Sequence, residues 1–517
     1  MHIDARNIDN NSVIEGDICI VGAGAAGISM ALELDKQNLK VILLEGGDFE
    51  YDDRVQELYR GKITGQPYYP LKSARLHMFG GTTGHWGGLC STFEPQTFLK
   101  RDWVPRSGWP FSADELNPYY RRAHDRLELG EYNFSVDRWL KESDSLEMLP
   151  VDKNVFYHKI WRFCIPEAMK FGKKFRDRIV HSPNIQLYTY ANAVDIRAND
   201  NLSQVTEIVV KNYTGKTHTV RARYFALACC SIQNSRLLLA SNSQAPAGLG
   251  NENDHVGRHF MENIELKSAE LWLGKKSTMQ FYLQNKPNFR AELAISLKMQ
   301  QEEQLLNGML SFNPLSIARK TPPFIETWTD DDPRQNRKKM DTIYTRNEES
   351  RLEKLFDSNK HDSFEITLRL EQVPNPDSRV TLDPEEKDSL GVPRAKLNWA
   401  FTDMEKRSAR RLYELFGRQV GQAGIGRVKL EESLADEKNS AMPSTTSGGW
   451  HHMGTTRMSD DPKQGVVDAH CRVHSLENLF IAGSSCFSTG SAVNPTFTIV
   501  ALSIRLADHL KQKMLLT

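Results

Sequence analysis

The chain has 517 residues, which is enough for roughly three domains or lobes. Its 66 lysines and arginines balance 66 aspartates and glutamates, and this balance argues against a nucleic-acid partner or binding to an anionic membrane surface. Apolar residues make up 39% and the mean hydropathy is −0.52, values typical of a soluble globular protein, and no apolar run is long enough to predict a membrane span.

The N-terminal sequence MHIDARNIDNNSVIEGD lacks the apolar segment and the twin arginine of an export signal, so we expect a cytoplasmic location. The 7 cysteines include no CxxC pair. Cys229 and Cys230 are adjacent, an arrangement that rarely meets disulfide geometry without strain. We therefore expect reduced, buried thiols.

The first predicted unit lies at residues 17–47. The apolar run 18–21 predicts a buried strand, residues 28–39 carry apolar side chains at helical spacing, and 41–44 predict a second buried strand. This order is typical of a βαβ unit.

The turn of this unit has the GxGxxG pattern. Gly22 permits a tight turn, Gly24 lets the backbone approach a pyrophosphate, and Gly27 lets the helix and strand pack closely. Glu45 follows by roughly 20 residues, where a carboxylate binds ribose hydroxyls. The pattern predicts a dinucleotide with an unphosphorylated ribose, FAD or NAD, at the helix N-terminus; a glycine-rich turn without a ligand is the alternative.

A second glycine-rich segment, FGGTTGHWGG, occupies residues 79–88, where the backbone must turn sharply or approach another group. Residues 186–228 alternate in polarity around a Tyr-Thr-Gly-Lys turn and predict antiparallel strands. Residues 231–241 predict a helix with Ser231 as its N-cap.

Longer strands and charged connections are expected between 265 and 400, with a solvated excursion at 329–360. Apolar periodicity predicts a helix over 403–423. The C-terminal part contains WHHMGT at 450–455, an apolar strand ending in Gly-Ser-Ser at 483–485, and GSAVNPT at 490–496. The strand ending in small residues is a second candidate phosphate contact, and an apolar helix is predicted over 499–510.

Taken together, these motifs resemble those of the glucose–methanol–choline (GMC) family of FAD-dependent oxidoreductases, and most of all its bacterial branch near the sugar and polyol dehydrogenases and pyranose oxidase. The resemblance covers nearly the whole chain. It rests on the βαβ unit, GGTT at 80–83, GWPFSADEL at 108–116, SIQNSRLLL at 231–239, VGRHFM at 256–261, PNPDSRV at 374–380, and the block containing His451 and Asn494.

The resemblance implies an α/β fold with a Rossmann-like FAD-binding domain and a second, α+β substrate domain built on an antiparallel sheet. We expect the FAD domain to comprise 1–100, 185–265 and 440–517, and the substrate or cap domain to comprise 101–184 and 266–439. The expected FAD contacts are Gly22, Gly24, Ala25, Ala26, Gly27, Glu45, Gly80, Gly81, Thr82, His85, Trp86, Val194, Gly483, Ser484, Pro495 and Thr496.

The resemblance assigns catalytic roles to His451 and Asn494. A neutral imidazole can take a hydroxyl proton, and an amide can hydrogen-bond the developing alkoxide without titrating. His452 is the rival base, and Asn494 before proline could instead initiate a turn.

His85 followed by Trp86 matches the position at which pyranose oxidase-like members carry the flavin covalently. The alternative is a histidine that only packs beside the flavin. A zinc site from His451, His452, His470, Cys471 and His474 is disfavoured by their spacing, so no metal is expected.

The function expected from the sequence is oxidation of a hydroxyl group of a sugar, polyol or glycosylated metabolite to a carbonyl, with hydride transfer to FAD. The electron acceptor, whether oxygen, a quinone or a protein, leaves no mark in the sequence. The alternatives are a flavoprotein subunit of a multi-subunit dehydrogenase, a non-redox flavin lyase of the same family and, least favoured, an NAD-linked dehydrogenase.

Overall fold

A computed structural model describes residues 1–515 apart from 36, 143, 145, 284–288, 316–359, 437–438 and 440. The excursion predicted at 329–360 falls outside these residues, except for its last position. The strands are β1 His2–Asp4, β2 Val13–Val21, β3 Val41–Leu44, β4 Gly61–Gly65, β5 Leu89–Cys90, β6 Phe156–Phe163, β7 Ile185–Thr189, β8 Asn192–Ala198, β9 Val205–Lys211, β10 Thr217–Leu227, β11 Ile264–Ser277, β12 Phe289–Ile295, β13 Gly308–Pro314, β14 His361–Leu370, β15 Arg379–Lys387, β16 Pro393–Trp399, β17 Gly426–Leu430, β18 Ser447–Gly448 and β19 Leu479–Ile481.

The strands are connected by helices of very different length. They are α1 Ala25–Leu34, α2 Asp53–Gln56, α3 Pro95–Phe98, α4 Ala113–Arg126, α5 Val136–Leu140, α6 Pro166–Met169, α7 Phe171–Val180, α8 Cys230–Ala240, α9 Gln280–Leu283, α10 Leu297–Glu303, α11 Asp403–Gln422, α12 Glu432–Ala435 and α13 Thr496–Leu515. In the described part of the chain, no helix combines the length and apolarity needed to cross a membrane.

The first sheet has a Rossmann-like parallel core. Its strand order is β1-β7-β3-β2-β10-β9-β8, with β19 beside β10. Strands β1, β7, β3, β2, β10 and β19 pair in parallel, whereas β8, β9 and β10 form an antiparallel meander. The predicted βαβ unit is confirmed as β2-α1-β3. All of β3 and residues 18–21 of β2 are buried, as is typical of parallel strands covered on both faces.

The second sheet is antiparallel and holds the longer strands expected after residue 265. Its order is β17-β11-β14-β13-β12-β6-β5, with β18 on β11. The helix predicted at 403–423 is α11, which begins at a capping box formed by Thr402 and Glu405 and packs its apolar stripe against this sheet. A small third sheet joins β15, β16 and β4.

Several predicted boundaries were wrong. Ser231 is not an N-cap, because α8 begins at Cys230 and the Ser231 hydroxyl hydrogen-bonds Thr455 instead. Helix α1 starts directly after Gly24 and ends at Leu34, before the polar residues that follow. Helix α13 runs from Thr496 to Leu515, beyond the apolar positions used to predict it, because helix ends depend on capping more than on burial. Strand β7, expected to be antiparallel, pairs in parallel.

Candidate active site

A cavity of about 2240 Å³ lies where the carboxyl ends of the first sheet's parallel strands face the second sheet. The loops after β2, β3, β10 and β19 form one wall, and side chains of β11 to β14 form the opposite wall. Pockets for a single small ligand measure roughly 300–1,000 Å³. This cavity therefore has room for a dinucleotide together with a second molecule.

The turn between β2 and α1 opens onto this cavity. A Cβ atom on Gly24 would meet no protein atom within 4 Å, whereas one on Gly27 would lie 1.9 Å from the Gly22 carbonyl oxygen. Gly24 thus leaves open space for a ligand, and Gly27 permits close packing of helix on strand. The backbone N–H groups at the start of α1 point where a pyrophosphate binds in such folds.

Glu45 stands at the end of β3 and lines the same cavity. Its carboxylate accepts hydrogen bonds from the Ala23 N–H at 3.1 Å and the Gly47 N–H at 3.0 Å. Burial raises the pKa of Glu45, while these backbone donors lower it. The side chain is therefore held rigidly at the position where a ribose hydroxyl donates.

The second glycine-rich segment lies against the first. The Gly80 N–H donates to the Ala23 carbonyl at 2.8 Å, and a Cβ on Gly81 would lie 3.0 Å from the Gly24 Cα. Trp86 is held by a hydrogen bond from its indole N–H to the Met169 carbonyl at 2.7 Å. The two glycine-rich segments thus form a single cradle.

His85 is buried in this cradle, and both of its ring nitrogens lack a hydrogen-bond partner among the described residues. The ring stacks on Trp450 with the centroids 5.2 Å apart. Burial lowers the pKa of His85 to about 4, so the imidazole is neutral near pH 7. A buried polar group without a partner costs about 1–3 kcal/mol, which indicates that a bound group contacts this ring.

Most of the predicted cofactor residues line the cavity, together with both predicted catalytic residues. Gly27 and Gly80 lie behind the lining, where they allow backbones to pack. The residues in the lining are Gly22, Gly24, Ala25, Ala26, Glu45, Gly81, Thr82, His85, Trp86, Val194, Gly483, Ser484, Pro495, Thr496, His451 and Asn494.

His451 is held at two points. Its backbone N–H donates to Glu262 Oε2 at 2.8 Å, and its Nδ1 lies 2.8 Å from Asn263 Oδ1. Burial, with the nearby positive charge of Arg369, lowers the pKa of His451 to about 3. His451 is therefore neutral at neutral pH.

The rival base, His452, has a different environment. Its Nε2 lies 2.8 Å from the Tyr68 hydroxyl, which in turn hydrogen-bonds Glu262. Asn494, just before α13, has a buried Oδ1 without a partner among the described residues. Asn494 thus has an unused hydrogen-bonding group, whereas the ring of His452 is already engaged.

Sequence reasoning missed Glu262 and Asn263, which precede β11, and Arg369 on β14. The signal for the first two was present, because they directly follow the VGRHFM segment named above. Arg369 pairs with Glu292 at 3.0 Å and Glu265 at 3.5 Å. The sequence pattern of a strand does not show whether a charged side chain faces a cavity or the solvent.

The residues considered for zinc do not converge. His470 stacks on His509 with the centroids 4.4 Å apart, and His474 Nε2 lies 3.0 Å from the Ser459 carbonyl. Among the described residues, no group of three histidine, cysteine or acidic side chains could hold a metal ion.

The cavity fits FAD. An open glycine cradle faces the helix N-terminus, a fixed carboxylate lies where the ribose binds, and a neutral, unpartnered His85 lies further along the same wall. The cradle, Glu45 and the parallel strand ends define a dinucleotide-binding protein.

Two family models match parts of the chain. A family model described as FAD dependent oxidoreductase matches residues 17–247, and one described as GMC oxidoreductase matches residues 374–503. The chain therefore contains an FAD-dependent oxidoreductase domain and a C-terminal GMC oxidoreductase domain, and its cofactor is FAD.

Similar proteins align over almost the whole chain. A 2-methyl-1,2-propanediol dehydrogenase of Mycolicibacterium austroafricanum is 24% identical, covering 97% of this chain and 96% of its own. The fructose dehydrogenase large subunit of Gluconobacter japonicus is 23% identical, covering 96% and 98%. A 6'''-hydroxyparomomycin C oxidase of Streptomyces lividus is 26% identical, covering 96% and 92%.

Solved structures share the fold. A formate oxidase superposes with a TM-score of 0.57 at 17% identity, covering 98% of this chain and 99% of its own. A pyridoxine 4-oxidase from Mesorbium loti superposes with a TM-score of 0.58 at 16% identity, covering 96% and 99%.

Proposed function

We propose that the protein oxidises a hydroxyl group of a sugar, polyol or glycosylated metabolite to a carbonyl. The observation that carries the proposal is His451, a neutral imidazole held by two hydrogen bonds in the cavity that also contains the dinucleotide cradle. Removal of the hydroxyl proton needs a base in this form, positioned beside the hydride acceptor. When bound, FAD supplies that acceptor.

The roles follow from the chemistry of the two side chains. His451 takes the hydroxyl proton, because its pKa of about 3 keeps the ring unprotonated at neutral pH. Asn494 donates a hydrogen bond from its side-chain NH₂ to the same oxygen as negative charge develops there. Its Oδ1, which has no partner among the described residues, is left to accept from another hydroxyl group of the substrate.

The wall contributed by the second sheet supports a polyhydroxylated substrate. Five charged side chains line the cavity there. Four of them form two ion pairs, Lys267 with Glu365 and Arg369 with Glu265. This wall therefore offers many hydrogen-bonding atoms and carries little net charge. Hydroxyl groups of a sugar can both donate and accept, which suits such a surface. These side chains are Glu265, Lys267, Arg290, Glu365 and Arg369.

The names of the relatives support the same substrate class. They include a diol dehydrogenase, a fructose dehydrogenase subunit and an oxidase of an aminoglycoside, all aligned over nine-tenths or more of both chains. We extend to this chain only what these names share, which is oxidation of a hydroxylated small molecule.

A second candidate is a flavoprotein subunit that passes electrons to a partner protein. The fructose dehydrogenase relative is named as a large subunit and aligns over 98% of its length. Rapid oxygen consumption by the isolated chain would favour a free-standing oxidase, and turnover only with artificial acceptors would favour the subunit.

We also propose that His85 bonds covalently to the flavin, and that the FAD and substrate domains have the boundaries expected from the sequence. Both unpartnered nitrogens of His85 support the first proposal. The grouping of β1–β3, β7–β10 and β19 in one sheet supports the second.

The experiment is an anaerobic visible spectrum of the purified holoprotein before and after adding pooled sugars and polyols. We expect flavin bands that one pool bleaches without added nicotinamide. If product forms while the flavin stays oxidised, the protein is a non-redox lyase. If no pool bleaches the bands, hydroxyl oxidation of this substrate class is contradicted.

A further inference from the structure

Asn263 lies fully buried immediately before β11, between two loops of the active site. Its side-chain NH₂ donates to the Ser491 carbonyl, and its Oδ1 lies 2.8 Å from His451 Nδ1. Its own carbonyl accepts the Gly449 N–H at 3.0 Å. The backbone of Asn263 is therefore attached to the loop before His451, and its side chain is attached to the loop that leads to Asn494.

The orientation of this amide follows from its partners. A backbone carbonyl only accepts, so the NH₂ group of Asn263 must face Ser491 and the oxygen must face His451. The oxygen also only accepts, so Nδ1 of His451 must carry the proton. In a neutral imidazole the lone pair is then on Nε2.

The remaining nitrogen is free for chemistry. His451 lines the cavity, and no described residue hydrogen-bonds its Nε2. The backbone of His451 is fixed by Glu262, and the hydrogen bond between Nδ1 and Asn263 opposes a turn of the ring that would exchange its nitrogens.

We propose that Asn263 is a positioning residue that holds His451 in the Nδ1–H tautomer and so presents the Nε2 lone pair to the substrate hydroxyl. This rests on the proposed role of His451 as the base. An amide suits the task, because it orders the ring without the negative charge that would favour the imidazolium form.

Other groups around His451 also set its charge, and they must be held constant in a test. Arg369 on β14 disfavours a second positive charge on His451, and Glu262 accepts hydrogen bonds from the His451 backbone N–H and from the Tyr68 hydroxyl. Other titratable or charged side chains also line the same cavity, among them Tyr69, His85, Glu265, Lys267, Arg290, Glu365 and His452.

The test uses ¹⁵N-histidine NMR of the FAD-bound protein, with the His451 resonances assigned by their loss in His451→Ala. We expect a protonated Nδ1 and an unprotonated Nε2, with no titration between pH 5 and pH 8. In Asn263→Asp the carboxylate stabilises the imidazolium, so the midpoint of the His451 titration should rise by roughly 1–3 pH units. The pH midpoint of anaerobic flavin bleaching should rise with it, using whichever sugar or polyol bleaches the flavin.

Asn212→Asp is the matched control. Asn212 is also buried and donates its NH₂ to a backbone carbonyl, that of Ala5 at 3.0 Å, but it does not line the cavity. We expect unchanged His451 resonances in this variant. FAD content and thermal midpoint are measured for both variants, because a merely structural role of Asn263 would lower these and leave the titration midpoint in place.

Two results would overturn the inference: a proton on Nε2 of His451, or a titration midpoint in Asn263→Asp equal to that of the unaltered protein. Bleaching of His451→Ala at the normal rate is a different result. It would refute the proposed function, and the NMR tautomer would still report separately on whether Asn263 orders the ring.

Discussion

At the scale of single residues, the site depends on which buried polar groups have partners. His452 is engaged by Tyr68, whereas Asn494 and His85 each keep buried atoms without a partner among the described residues. Because an unpaired buried group is costly, these atoms support our proposal that cofactor and substrate bind beside His85 and Asn494.

His451→Ala should retain bound, oxidised FAD and slow anaerobic bleaching by substrate about 100-fold or more, because the base is lost while the cradle is intact. Asn494→Ala should slow the same step less severely. Stopped-flow absorbance measures both. His181→Ala, an exposed histidine at the end of α7, is the control and should bleach normally. An unchanged rate in either site variant would remove that residue from the mechanism.

For His85, acid precipitation provides the measurement. We expect the yellow colour to stay with the precipitated chain and the intact mass to include FAD, because a neutral ring with two unpartnered nitrogens is available for bonding. His85→Ala should release its flavin into the supernatant. Flavin release from the unaltered protein would show that His85 only packs beside the cofactor.

At the scale of elements, the turn between β2 and α1 contains two glycines with different roles, and substitutions can distinguish these roles. Gly24 faces open space and Gly27 faces the Gly22 carbonyl. The first glycine serves the ligand, and the second serves the packing of the helix on the strand.

Gly24→Val should therefore fold and bind FAD about 100-fold or more weakly, because its side chain fills the cradle. Gly27→Ala should lower the thermal midpoint and the yield of folded protein, because a Cβ cannot lie 1.9 Å from a carbonyl oxygen. Flavin content and thermal unfolding separate the two effects. Gly421→Ala, which meets nothing within 4 Å on α11, is the control and should stabilise by about 0.5–1 kcal/mol. Equal effects at Gly24 and Gly27 would contradict this division.

At the scale of the whole molecule, stability is linked to pH through buried histidines. Burial keeps these rings neutral in the folded protein, whereas in the unfolded chain they protonate near pH 6.5. The folded-state pKa is lowered to about 3 for His77, His259 and His451 and to about 4 for His85 and His158.

Below pH 6.5 these histidines bind more protons in the unfolded chain than in the folded protein. Their contribution to the free energy of unfolding is therefore complete above pH 6.5 and is lost as the pH falls toward 3–4. Within that pH range, each such histidine lowers the free energy of unfolding by up to about 1.4 kcal/mol for each pH unit. We expect the thermal midpoint to fall clearly between pH 7.5 and pH 5.5. A constant midpoint would contradict neutral burial of these side chains.

The elements that the sequence predicted best are those whose signal is local. The β2-α1-β3 unit and α11 follow from apolar periodicity, glycine spacing and capping residues within about 30 neighbouring positions. The ends of α1, α8 and α13 were predicted less well, because they depend on caps and on packing partners elsewhere in the chain.

The sequence by itself predicted the dinucleotide cradle and the FAD cofactor, because the glycine and carboxylate pattern that signals them is local. It also singled out His451 and Asn494, whose catalytic roles stay a proposal. Only the tertiary structure brought Asn263 onto His451 across 188 positions, and Arg369 into the same cavity from a different strand. The physical reason is that a hydrogen bond or a buried charge is decided by which surfaces pack together, and that packing joins residues far apart along the chain.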